Sequence, residues 1–244
     1  MQTYCYYFIL FMIYSFIGWS MEVIGKLIEK HRFINRGFYI GPYCPIYGVG
    51  SLLIILLLDK YKSNPVELFI MAILICSILE YYTSYFMEKW FNTRWWDYSQ
   101  RKFNINGRIC LNTMIPFGLL GVALCYFVNP FITSLVDKLS QNAILIIGIT
   151  LSIIFIIDAI LSLKVIINYK DALTKIEKDS TEEISTRIRK LFLSKSYLYK
   201  RFIKAFPTFE NTKEHLLKLE KNIHTKINNI KNKESKWNTY QKTI

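Results

Sequence analysis

Five stretches of about 20 mostly apolar residues dominate the first two thirds of this 244-residue chain. A helix needs about 20 such residues to cross the ~30 Å hydrocarbon core of a bilayer. We therefore predict an all-α fold, a polytopic membrane helical bundle of about five transmembrane helices. The predicted spans are residues 4–24, 38–58, 66–86, 109–128 and 143–167.

Charge is segregated from the apolar residues along the chain. The chain has a net charge of +13 and is 52% hydrophobic. This hydrophobic fraction is too high for a soluble domain of this size. Residues 168–244 contain 18 Lys and Arg against 9 Asp and Glu, a net +9, which leaves +4 for residues 1–167. We predict a transmembrane domain over residues 1–167 and a basic cytoplasmic helical tail over residues 168–244.

The distribution of basic residues orients the predicted bundle. The loops at 25–37 and 87–108 and the tail hold 27 of the 31 Lys and Arg residues, and all three lie on one side of a five-span protein. Because basic residues concentrate on the cytoplasmic side, we expect the N-terminus outside and the C-terminus in the cytoplasm. The tail, with helices predicted at about 181–205 and 212–234, is expected to bind anionic lipids of the cytoplasmic leaflet. It resembles no recognised nucleic-acid-binding motif, so nucleic acid is an unlikely partner.

Spans two and four each begin with a stretch interrupted by glycine and proline, as in a weak tandem repeat of a two-helix unit. Such segments in matching positions indicate a transporter binding site, with the first half of each span unwound or re-entrant. They are equally typical of a tight interfacial turn whose glycines allow close helix packing. The residues that mark the two interrupted starts are Gly37, Gly41, Pro42, Pro45 and Gly48 in the first copy and Gly107 and Pro116 in the second.

Three carboxylates, Glu22, Glu80 and Asp158, lie within or at the ends of the spans. Carboxylates in a membrane are costly and normally face a cavity, a bundle interior or a cationic partner. Ser77, Glu80 and Ser84 follow one another at the helical spacing of a single polar stripe. We predict that Glu80 lines a hydrophilic path. For Glu22 and Asp158 we favour a structural pair with Arg or Lys near the cytoplasmic surface.

The loop at 87–108 concentrates tryptophan, tyrosine and basic residues at the predicted cytoplasmic boundary. Trp96 and Tyr98 fit an aromatic belt with ordinary flanking charge. The basic side chains of this loop, Arg108 among them, are alternatively placed to hold anionic headgroups or a phosphate-bearing substrate. The chain contains no GxxxxGK[ST], GxSxG or HExxH motif. We therefore expect neither an ATPase nor a hydrolase activity.

The five cysteines have no CxxC spacing and lie in or beside spans. Scattered cysteines of this kind are typical of small residues that pack between helices. We expect no metal site and no cofactor.

Three blocks, YSFIGWSMEVI, FINRGFYIGPYCPIYGVG and RWWDYSQRKFNINGRICL, resemble a bacterial membrane family labelled ABC transporter permease, CmpB-like, type IV. The resemblance covers about residues 8–128. It implies a permease-like component of a transporter whose ATPase is a separate subunit, in a bacterial cytoplasmic membrane. Because five spans are few for such a permease, it also implies assembly as a homo-oligomer.

These observations give a set of candidate residues and three hypotheses. The candidates for a polar path or its cytoplasmic mouth are Glu22, Asn35, Arg36, Glu80, Asp97, Asn106 and Arg108. The first hypothesis is a permease-like transporter component with an unknown substrate. The alternatives are a membrane scaffold whose basic tail binds lipid or a partner protein, and a lipid-headgroup enzyme that uses Glu80 or Asp97 as its acid or base.

Overall fold

The computed structural model describes residues 1–31, 33, 35, 37–91 and 94–178, and for residues 30, 165 and 168–178 the backbone alone. The predicted tail helices and Arg36 lie outside the described residues. The helices are α1 (Gln2–Lys30), α2 (Pro45–Leu57), α3 (Pro65–Phe91), α4 (Leu111–Ala123), α5 (Asn129–Val136) and α6 (Gln141–Lys178). A π-helical segment, Leu124–Val128, joins α4 to α5, and a 3₁₀ turn, Asp59–Tyr61, follows α2. A short antiparallel hairpin has strands β1 (Asn104–Ile105) and β2 (Ile109–Cys110).

The all-α membrane fold is confirmed, with four helical segments long and apolar enough to cross a bilayer. These segments are Gln2–Glu29, Pro65–Phe91, Leu111–Val136 and Gln141–Lys164. The second predicted span has the interrupted first half that its glycines and prolines indicated, because its helix α2 has only 13 residues. At 1.5 Å per residue α2 covers about 20 Å of a ~30 Å core. The Gly/Pro-rich residues 37–44 precede this half-helix as irregular backbone.

The fourth span does not have the unwound first half that the sequence suggests. Residues 109–110 form strand β2, and regular helix starts immediately afterwards at Leu111. Pro116 lies inside α4 without interrupting it. Proline lacks an N–H, so it removes one helical hydrogen bond, and this helix accommodates the loss.

The described bundle is built from two helix pairs that approach closely at glycines. In the first pair, α1 with α2, a β-carbon on Gly18 would lie 2.2 Å from the ring of Tyr47. In the second, α3 with α4, a β-carbon on Gly118 would lie 2.6 Å from Phe69. Small residues let membrane helices pack at short range. This arrangement is the one that a tandem two-helix unit would produce.

The outward faces of the long helices are apolar. Along α6, only 17% of the most apolar 18-residue stretch is buried, and isoleucines such as Ile146 and Ile153 are more than half exposed. A patch of this extent would be unusual on a soluble protein and is the surface that a bilayer covers. The interior instead collects a small apolar core, including Leu10, Leu58 and Leu68, together with a group of buried polar side chains.

Candidate functional site

The polar stripe predicted on α3 is buried in the bundle. Glu80 lies about 22 Å along α3 from Pro65, at 1.5 Å per residue, and its side chain is only 5% exposed. Tyr98 donates a hydrogen bond to Glu80 Oε1 at 3.2 Å, and Thr113 Oγ1 lies 3.4 Å from Glu80 Oε2. Both contacts are long for O–H···O hydrogen bonds. We call Ser77, Glu80, Tyr98 and Thr113 the Glu80 cluster.

A β-hairpin between α3 and α4 brings Tyr98 to this cluster. Its turn uses left-handed backbone at Asn106 and Gly107, with φ of 52° and 67°, a conformation that Asn and Gly adopt most readily. The N–H of Tyr98 donates to the carbonyl of Gly107 at 2.8 Å, and Trp96 Nε1 donates to the carbonyl of Arg108 at 3.0 Å. The WWDYS block is therefore held along the hairpin, with the Tyr98 hydroxyl directed at α3.

Ion pairs fasten the hairpin to the end of α3. Arg108 Nη2 lies 2.7 Å from Glu88 Oε2, and Arg108 Nη1 donates to Ser84 Oγ at 3.2 Å. Arg94 reaches the same Glu88 oxygen at 3.4 Å and Asp97 Oδ1 at 3.3 Å. Arg108 and Arg94, two of the predicted anion holders, are thus already engaged by carboxylates of the chain.

Asp97 lies apart from Glu80 and serves the loop. Hydrogen bonds from the hydroxyl and N–H of Ser99 lower the pKa of the Asp97 carboxyl, with a smaller contribution from Arg94. Its side chain is about half exposed. A carboxyl that these contacts hold ionised is poorly suited to act as a proton donor.

We expect Arg108→Gln to detach the hairpin from α3 and to lower the free energy of unfolding by about 1 kcal/mol, because its Glu88 partner is only partly buried. Thermal unfolding in detergent would measure the effect. Arg101→Gln is the matched control, because Arg101 is exposed on the same loop. Equal stability of the two variants would contradict the fastening role of Arg108.

The first helix pair contributes a second carboxylate–tyrosine contact. Tyr47, on α2, donates to Glu22 Oε1, on α1, at 2.8 Å. Glu22 lies within electrostatic reach of both Glu80 and Tyr98. Tyr47 likewise lies within electrostatic reach of Tyr98. Glu22 and Tyr47 of the first helix pair are therefore near Glu80 of α3 and Tyr98 of the hairpin segment.

The irregular segment before α2 is fixed from two sides. Trp19 Nε1 donates to Asn35 Oδ1 at 2.7 Å. On the other side, Asp158 of α6 accepts the N–H groups of Ile40 and Gly41 at 2.9 and 2.7 Å. It also accepts the hydroxyls of Tyr43 and Ser162. Among these contacts Asp158 binds no Arg or Lys, so the expected ion pair is replaced by backbone N–H groups that the broken helix leaves without helical partners. We call this arrangement the Asp158 anchor.

The structure sorts the predicted residues into these groups. Glu80 and Glu22 lie within electrostatic reach of each other, and Asp97, Asn106 and Arg108 belong to the hairpin. Asn106 Nδ2 donates to the hydroxyl of Tyr81 at 2.9 Å. Pro42 is exposed beside the anchored Gly41.

Sequence reasoning did not assign Thr113 to the site. The feature that could have indicated it is its position as the third residue of α4. There its hydroxyl accepts a hydrogen bond from the N–H of Cys110 at 3.4 Å. Such side chains commonly cap a helix start.

Comparison with known proteins gives one family. A family model described as "Putative ABC-transporter type IV" (ABC_trans_CmpB) matches residues 9–163, which is more than half of the chain and includes both helix pairs and most of the apolar part of α6. No curated protein and no solved structure matches the chain.

Proposed function

The chain belongs to the CmpB family of ABC-transporter type IV proteins and is a multi-pass membrane protein, and on that premise we propose that it is the permease-like component of a transporter. A separate subunit would supply ATP hydrolysis. The protein would lie in a bacterial cytoplasmic membrane. Because α2 is too short to cross it alone, the irregular residues 37–44 and α2 would together make the fifth crossing, which places the 27 basic residues on one side and favours an N-terminus outside.

The observation that carries the proposal is the burial of Glu80, which is 5% exposed within the bundle. A carboxylate in a membrane bundle is retained at a cost in stability, so it is a functional-site hypothesis by default. Glu80 belongs to one helix pair and lies within electrostatic range of the partly buried Glu22 of the other. A group at the junction of two similar halves is well placed to respond when one half moves against the other.

The Asp158 anchor supports the same proposal. The backbone of residues 40–41 is not helical, and its N–H groups are satisfied by a side chain of α6. Irregular backbone in a membrane protein persists only where protein or water satisfies it. The interrupted start of α2, the helix that pairs with the Glu22-bearing α1, is thus held against α6.

The proposal is tested by solubilising the tagged full-length chain from its native membranes. We expect an ATP-hydrolysing subunit to co-purify in a fixed ratio, and the complex in liposomes to hydrolyse ATP faster in the presence of its transported solute. Glu80→Gln should keep the complex and lose most of that stimulation, with a fall of about tenfold or more.

Glu67→Gln is the matched control. Glu67 is in the first turn of the same helix, where it is exposed and bonded to Asn64 at 2.9 Å, so its loss should leave the stimulation unchanged. A chain that purifies without any ATP-hydrolysing subunit, under conditions that preserve other membrane complexes, would contradict the proposal.

The scaffold and lipid-headgroup-enzyme alternatives stay predictions. The scaffold alternative depends on residues 168–244, so deleting the tail separates it from the permease. Loss of all activity with the tail, while Glu80→Gln remains active, would favour the scaffold.

A further inference from the structure

The Glu80 carboxylate receives fewer hydrogen bonds than it has acceptor positions. An ionised carboxylate offers about four acceptor positions, and within the described part of the chain Glu80 accepts only the two long contacts from Tyr98 and Thr113. The Thr113 hydroxyl has one proton and lies closer to the carbonyl of Cys110, at 2.9 Å. Because that proton can be donated only once, Glu80 Oε2 is left without a firm donor.

No basic side chain among the described residues forms an ion pair with Glu80. Arg108 contacts the same helix, but it binds Ser84 and Glu88, which lie one and two turns beyond Glu80. A carboxylate that is 5% exposed, and that no basic side chain in the described part of the chain neutralises, attracts a positive charge.

A second, independent feature points to a ligand. Ser77 lies one turn before Glu80 on the same face of α3 and is 7% exposed. Its Oγ has no hydrogen-bond partner among the described residues. A buried hydroxyl without a partner is uncommon and requires an explanation such as a bound ion or solute. A ligand on Glu80 that reaches one turn along α3 would satisfy it.

We propose that Glu80 and Ser77 bind a monovalent cation, either an alkali ion or the ammonium group of an organic amine. Hydroxyl and carboxylate oxygens suit both. In the described part of the chain, no three His, Cys, Asp or Glu side chains gather as a multivalent metal would require. The inference rests on the proposed function in that it makes this cation the transported solute.

Binding is measured on the purified full-length chain alone, in detergent, by thermal unfolding at constant ionic strength. The probes are NaCl and KCl in one arm and choline, tetramethylammonium and ethylammonium chlorides in the other. We expect at least one probe to raise the unfolding temperature in a saturable manner. Glu80→Gln should lower the affinity for that probe by about tenfold or more, since it removes the charge from the site. Glu67→Gln should bind the probe as the wild type does.

A further variant keeps the test decisive if Glu80→Gln does not fold. Ser77→Ala removes one of the two proposed ligand groups and should weaken binding about two- to tenfold. The proposal is overturned if no probe stabilises the wild type, or if the Glu80 variant, or in its absence Ser77→Ala, binds with wild-type affinity. Because the ATP-hydrolysing subunit is absent from this assay, a failure here leaves the permease proposal standing. Cation binding by a chain that recruits no such subunit would contradict the permease proposal and leave the cation site standing.

Discussion

Replacing Asp158 by Asn is expected to lower the free energy of unfolding by about 3 kcal/mol, because it leaves buried donors without acceptors. In the Asp158 anchor, Oδ1 accepts the N–H of Ile40 and the hydroxyl of Ser162. Oδ2 accepts the N–H of Gly41 and the hydroxyl of Tyr43. Every oxygen of the carboxylate therefore serves two donors.

An asparagine cannot reproduce this pattern in either orientation of its amide. Whichever position the NH₂ group takes, it faces one backbone N–H and one hydroxyl. The hydroxyl can turn to accept, but the N–H cannot. With the NH₂ at the Oδ1 position the Ile40 N–H keeps only its longer contact to Ser162 Oγ, at 3.2 Å, and at the Oδ2 position the Gly41 N–H loses its acceptor. The segment at 38–44 should then leave α6, and the start of α2 should lose its fixed position.

Denaturant-induced unfolding in detergent micelles, followed by tryptophan fluorescence, measures this effect. Asp137→Asn is the matched control, since in the described part of the chain the Asp137 side chain accepts a single hydrogen bond from a side chain, that of Tyr6 at 2.9 Å in an exposed setting. We expect the control to change stability by less than about 1 kcal/mol. Equal stability of the two variants would show that Asp158 does not anchor the segment.

Adding one methyl group to Gly48 is expected to be comparably damaging, with a loss of about 3 kcal/mol from overpacking. The β-carbon of an alanine there would lie 2.2 Å from Ser15 Oγ and 2.6 Å from the carbonyl oxygen of Phe11. The serine could rotate, but the carbonyl belongs to the backbone of α1. The two helices would have to separate, which also strains the hydrogen bond from the Cys44 N–H to the Ser15 carbonyl, now 2.9 Å.

The same unfolding assay with Gly25→Ala gives the control for Gly48→Ala. Gly25 is also within a helix, and a β-carbon there would meet nothing within 4 Å. Alanine should therefore stabilise α1 by up to about 1 kcal/mol through its better helix propensity. If Gly48→Ala is as stable as Gly25→Ala, the close approach of α1 and α2 is wrong.

The long helices could be predicted because their signal is local. A run of about 20 apolar residues specifies a spanning helix without reference to its neighbours, and α1, α3 and α6 follow that rule. The length of α2 could be predicted only in part, because its glycines and prolines indicated an unwound or re-entrant first half and, equally, a tight interfacial turn. The apolar residues after Pro45 look alike in a full span and in a half-helix, and the difference depends on Asp158, more than 110 residues further along the chain.

The site shows the same division between local and distant information. Helical spacing alone put Ser77, Glu80 and Ser84 on one buried face of α3. It could not show that a hairpin would return Tyr98 to Glu80, since that contact depends on the turn at Gly107. It also could not distinguish Arg108 as a ligand-binding group from Arg108 as the partner of Glu88, because both interpretations need the same residue type at the same boundary.

The central claim, that Glu80 lies on a transport path, is tested most directly by ATP-dependent flux. The full-length chain is reconstituted in liposomes with its co-purified ATP-hydrolysing subunit, and movement of the best-binding cation probe is followed. We expect ATP-dependent movement for the wild type and for Glu67→Gln, and a fall of about tenfold or more for Glu80→Gln. Equal rates for wild type and Glu80→Gln, with both complexes intact, would contradict the claim.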